Sequence, residues 1–148
     1  MSKRTAIPFA LFLCLIGLST IGRAYAADPL GTWYTEGNDS QVRIRNCGGA
    51  LCGALVWLKV PNDPATGKPK TDKENSDAAK RNRPLLGVEI VLSMKPDGTP
   101  DQWKGQVYNA KDGNTYTGYF TLTGANSAEL KGCAMGFICK SQTWTRAK

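Results

Sequence analysis

The chain has 148 residues, with 19 lysines and arginines against 12 aspartates and glutamates, and no histidine. Without imidazole there is no His-based triad, no His-ligated metal and no histidine general base. Its positive charges are scattered, with no aromatic-interleaved basic block of the kind single-strand nucleic-acid binders use, so nucleic acid is not an expected partner.

Met1 to Ala26 reads as a secretory signal peptide: Lys3 and Arg4 form a positive start, Ala6 to Leu18 an apolar stretch, and Ala24-Tyr25-Ala26 an A-x-A cleavage site. The apolar stretch is too short to serve comfortably as a transmembrane segment, and no other is expected. Residues 27–148 are then one domain, periplasmic or secreted. Losing Lys3, Arg4 and Arg23 leaves 16 basic residues against 12 acidic ones, a charge of about +4, ordinary for solubility.

From Asp28 onward short β-prone runs are broken by Gly, Asn, Asp and Pro, and no 3.6-residue apolar period is sustained. Leu30 to Glu36 reads as the first strand, followed by turn chemistry at Gly37-Asn38-Asp39. Gln41 to Asn46 alternates, with Val42 and Ile44 on one face and Gln41, Arg43 and Arg45 on the other. A tight turn at Gly48-Gly49 leads into the strand Leu51 to Lys59. There Leu51, Leu55 and Trp57 share one face and Ala54, Val56 and Leu58 the other. With both faces apolar, this strand needs an outer cover, and the segment after it is the expected one.

That segment, Val60 to Pro84, is polar, carries four prolines and shows no strand pattern. Connections of roughly 25 residues inside a compact domain are functional or disordered. A short helix is expected from Ser76 as N-cap through Ala78 to Arg81. Strands resume after Gly87. Val88, Ile90, Leu92 and Met94 share a face, as do Trp103, Gly105 and Val107, then Tyr116, Gly118, Phe120 and Leu122. Asp112-Gly113 is a hairpin turn. Ala128 to Gly132 and Ser141 to Arg146 complete about eight strands. The expected fold is therefore all-β: an eight-stranded antiparallel up-and-down barrel with one long loop, closed so that no edge strand is left unpaired.

Four cysteines lie after the signal segment, Cys47, Cys52, Cys133 and Cys139, and an even count in an oxidising compartment predicts two disulfides. Three connectivities can be drawn. A long-range bridge closes the larger loop, worth about 4–5 kcal/mol against about 2 kcal/mol for a short one. Local geometry favours Cys47–Cys52 and Cys133–Cys139, each flanking a Gly-containing turn, and that pairing is the expectation. Neither pair has the C-x-x-C spacing of a redox site or a zinc knuckle.

The G-x-W of Gly31-Thr32-Trp33, with Arg146 closing the last strand, resembles the lipocalin/calycin signature. That resemblance implies Trp33 plugging one barrel end with Arg146 packed over it, a cation–π contact. DPLGTW (28–33), CGGALCG (47–53), the loop from Asn62 to Gly87, VYNAKDGNTYTG (107–118) and GCAMGFICKSQTWTR (132–146) together resemble a family of small exported bacterial proteins catalogued as a domain of unknown function, DUF2147. Ser76 stands where that family often shows Pro. The resemblance implies a lipocalin-like barrel in the cell envelope and assigns no activity, cofactor or catalytic residue.

Candidate ligand-binding residues are Trp57, Trp103, Tyr108, Tyr116 and Phe120, able to line an apolar pocket or fill a core. Arg81 and Arg83 could grip a carboxylate or phosphate, or pin the loop to its own aspartates. Asp63, Asp72, Glu74, Asn75 and Asp77 offer oxygen ligands to calcium, but not in EF-hand spacing and with lysines between them; holding local turns is the favoured role, and no metal is assigned. No carboxylate pair is spaced for acid/base work, and no catalytic residue is named. The first reading is thus a barrel binding a small apolar or amphipathic molecule. The second is a packed structural or interaction module of the envelope. The third, a histidine-free enzyme, requires Asp, Arg and Tyr side chains converging in one cleft.

Overall fold

The computed structural model describes residues 28–148; the expected signal peptide, Met1 to Ala26, lies outside the described residues. Eight antiparallel strands close into a barrel in chain order. They are β1 (Gly31–Tyr34), β2 (Ser40–Asn46), β3 (Leu51–Leu58), β4 (Glu89–Pro96), β5 (Gln102–Asn109), β6 (Asn114–Gly124), β7 (Ser127–Ala134) and β8 (Ile138–Arg146). β1 closes against β8, Trp33 opposite Arg146 and Tyr34 opposite Thr145.

The up-and-down path gives the barrel two poles. One carries the residues before β1, the β2–β3, β4–β5 and β6–β7 turns, and the residues after β8. The other carries the β1–β2 turn, the long β3–β4 strap, and the β5–β6 and β7–β8 hairpins. The disulfides divide between them: Cys47–Cys52 clips the first pole and Cys133–Cys139 the second.

β-bulges correct the simple alternation read from the sequence. Gln41 pairs with Trp57 and Val42 with Leu55, so Val56 is an extra residue. A one-residue insertion reverses every later side chain. Leu55 therefore points in while Trp57 lies outside, 40% exposed, edge-on against Tyr34. In β4, Ser93 and Met94 together oppose Gly105, and Ser93 adopts a φ of 48°. A further extra residue, Ile90, lies between the pairs Gly53–Val91 and Ala54–Glu89, so Ile90 and Val91 are both buried; Leu92 turns outward and the Ser93 bulge returns Met94 to the interior, so the expected single face does not form.

The strap takes a different course from the expected one. Val56 and Trp57 stay uncovered, and the strap instead packs outside β4–β6 near the second pole. The expected helix is a single 3₁₀ turn, Ala78–Lys80, whose N-cap is Asp77: its carboxylate accepts from the Ala79 N–H at 3.0 Å.

Candidate functional site

Inward residues at the first pole are large, and they fill it. Trp33, Phe120 and Trp144 are fully buried and meet edge-to-face, with ring centroids 5.7 and 5.9 Å apart. Trp103 tilts against Phe120 at 6.3 Å. The Arg146 guanidinium lies 4.2 Å over the Trp33 ring and donates to three backbone carbonyls: Ala125 at 3.1 Å, Leu30 at 2.7 Å and Asp28 at 2.6 Å. Gly31 is required here, because with its φ of 121° a Cβ would stand 3.1 Å from Arg146 Nη1. The G-x-W spacing thus has a steric cause as well as an aromatic one.

Toward the second pole the inward residues shrink or become polar, and the barrel is hollow. Its cavity of about 760 Å³ has an apolar floor of Leu55, Ile90, Val107, Leu130 and Trp144. Gly132 and Ala134 leave space on β7. On β8 the alternating Ile138, Lys140, Gln142 and Trp144 all face the cavity, which sets a cation and an amide above the indole. Lys140 and Gln142 remain solvent-exposed although they point inward, because the mouth is open to water. Tyr116 lines the same mouth and donates to Asp112 Oδ2 at 2.8 Å, a bond that holds its phenol pKa above the usual range.

The strap is locked to the rim by a buried network. Asp72, 1% exposed, accepts from Tyr108 Oη at 2.5 Å, from Arg83 Nε and Nη2 at 2.9 and 2.7 Å, and from Asn75 Nδ2 at 2.8 Å. Burial raises the Asp72 pKa, but these hydrogen bonds and the Arg83 charge outweigh it, and the net shift is downward. Burial, reinforced by the neighbouring carboxylate, pushes Tyr108 up to about 12. Arg81 Nε donates to the Asn75 carbonyl at 2.8 Å, and the Ser76 N–H to the Gly113 carbonyl at 3.2 Å. Gly113, with φ of 75°, is pressed so tightly against the strap that a Cβ would overlap the Glu74 carbonyl oxygen.

The candidate residues therefore separate. Tyr108 and Tyr116 lie on the cavity lining, though the Tyr108 hydroxyl is engaged by the strap. Trp103 and Phe120 belong to the packed pole and do not line the cavity, and Trp57 is on the outer wall. Arg81 and Arg83 bind the strap to itself. Asp63 and Asp77 accept from the Ala65 and Ala79 N–H groups, and Asp72 is committed to Arg83, so these oxygens hold turns. Asp72, Arg83 and Tyr108 do converge, but as a saturated buried cluster. A phenol raised to about 12 is the wrong direction for a base at neutral pH. The sequence expectation leaves out Leu130 on β7 and Ile138, Lys140 and Gln142 on β8; the alternation of the last three with Trp144 is the available signal, hidden by starting the last strand at Ser141.

A closed antiparallel barrel with one plugged pole and one hollow pole is the architecture of a lipocalin-like protein. The chain belongs to the family described as "Uncharacterized protein conserved in bacteria (DUF2147)", whose model matches residues 31–146. Among solved structures it is similar to protein HP1028 from Helicobacter pylori, which is described as belonging to the lipocalin family. The two share 23% identity over 82% of this chain and 84% of that one, with a TM-score of 0.67, a likeness of fold. No curated protein matches the chain.

Proposed function

We propose that this is an exported, lipocalin-like binding protein whose barrel takes a small amphipathic molecule in the cell envelope. The observation that carries the reading is the one-ended cavity: about 760 Å³, within the range of small-molecule sites, with an apolar floor and a polar neck. An apolar tail fits against Leu55, Leu130 and Trp144, and a polar or anionic head meets Lys140 and Gln142. Both disulfides fit an oxidising compartment. Among the described residues no helix is long and apolar enough to cross a membrane. The packed-module alternative describes the first pole only.

Native mass spectrometry of protein purified from its own host tests the reading directly. A mass adduct that dissociates as a single small molecule is expected. Ala134→Trp, which places an indole in the mouth, is expected to abolish that adduct and binding of a fluorescent apolar probe while the barrel stays folded. Wild-type protein that carries no adduct and binds no probe would overturn it.

A further inference from the structure

The other tight turns are built on Gly37-Asn38-Asp39, Gly48-Gly49 (itself clipped by Cys47–Cys52), Asp97-Gly98, Asp112-Gly113 and Gly124-Ala125-Asn126, residues suited to water and to tight turns. The β7–β8 hairpin is built differently. Its tip exposes Met135 by 85%, Phe137 by 75% and Ile138 by 56%, more than any other large apolar side chain among the described residues. Cys133 and Cys139 face each other across the two strands and staple its base. A covalent staple holds the apolar tip out in water instead of letting it fold back, so little ordering is left for binding to impose. The tip is also continuous with the calyx, since Ala134 and Ile138 line its mouth. Lysines 59, 70, 111 and 140 stand around the same mouth against Glu36, Asp39 and Asp112, the last of these receiving hydrogen bonds from Asn109 and Tyr116.

We infer that this hairpin is a membrane-docking device: Met135, Phe137 and Ile138 enter the headgroup–acyl boundary of an anionic bilayer while the rim lysines meet lipid phosphates. An apolar tip beside a rim that carries four lysines against three carboxylates, one of them engaged by Asn109 and Tyr116, suits an interfacial contact with anionic lipid. A protein partner fits less well. The three side chains show on the order of 400 Å² of surface, about half the 800 Å² per partner that a standard stable interface buries. Docking sets the mouth of the calyx against lipid whether or not the calyx is filled.

Sedimentation with vesicles tests this, using the oxidised protein from an exporting host. Phosphatidylethanolamine/phosphatidylglycerol vesicles are compared with pure phosphatidylcholine. Wild type is expected to partition onto the anionic vesicles and to be released by salt. Met135→Ser/Phe137→Ser/Ile138→Ser, checked for folding by circular dichroism and for disulfides by thiol count, is expected to lose about tenfold or more of that partitioning. Lys140→Gln is expected to lower partitioning onto anionic vesicles only. Failure of wild type to partition, or a serine variant that partitions like wild type, overturns the proposal. So does a wild-type dimer that the serine variant dissociates while lipid binding stays absent, which assigns the tip to a second copy of the chain.

Discussion

The two poles are made from the same eight strands and differ in what those strands point inward. At the plugged pole the inward positions are Trp33, Phe120, Trp144 and Met94, all buried, and a guanidinium seals the end. At the open pole they are Gly132, Ala134, Lys140 and Gln142, and the space they leave is the cavity. Close packing and open volume thereby fall at opposite ends of one barrel. The strap sits at the open end, held by a polar network where the other pole is held by rings.

That contrast can be broken most severely at the plug. Trp33→Ala is expected to cost about 3–5 kcal/mol in urea denaturation, the range for deleting a large buried aromatic. At the open pole, Asp72→Ala is expected to cost about 2 kcal/mol, less than a fully buried pair because the Arg83 side chain is 39% exposed. Its mark is local: strap amides lose hydrogen-exchange protection while the plug keeps its own, and the Tyr108 phenol titrates back toward 10. If plug and strap lose protection together, the poles are one cooperative unit and the division fails.

The disulfides sharpen the comparison further. Cys47→Ser/Cys52→Ser at the plugged pole should lower global stability by about 2 kcal/mol. Cys133→Ser/Cys139→Ser should be felt more in the mobility of its hairpin, measured by proteolysis between Ala134 and Ile138. A smaller effect follows pH. The folded Asp72 pKa is depressed below 3.8, so its contribution is present above that value and lost as pH falls through the lower folded one. Tyr108 is raised from 10.0 to about 12, so its contribution is complete below 10 and lost as pH climbs toward 12. Strap protection should therefore hold from about pH 4 to pH 10 and fall on both sides. The least change in stability, under about 0.5 kcal/mol, is expected for the half-buried mouth substitution Ala134→Trp, despite its complete effect on probe binding.

Strand number, closure and the cysteine pairing were legible because they follow from local chemistry: period-2 alternation, glycine-bearing turns and short cysteine spacings. The cavity was not. Unbroken alternation through Leu51, Leu55 and Trp57 points Trp57 inward, and only the pairing with β2 reveals the extra residue at Val56. Tyr108 was a plausible ligand contact, but its hydroxyl partner, Asp72, lies 36 residues away and is brought to it by the path of the strap. Whether aromatic residues fill a barrel or line it depends on what faces them across the interior, and that is fixed by register.

Closure of β1 on β8 has one more consequence. The Ala147 N–H donates to the Thr32 carbonyl, and Arg146 reaches the carbonyl of Asp28, so the two ends of the described chain emerge side by side at the plugged pole. A short peptide joining them would make a ring without disturbing the mouth, and a surface-immobilisation tag at either end would leave the calyx facing outward. Cutting such a ring within the strap would yield a permuted protein whose new ends flank the entrance, a direct handle for attaching reporters at the mouth of the cavity.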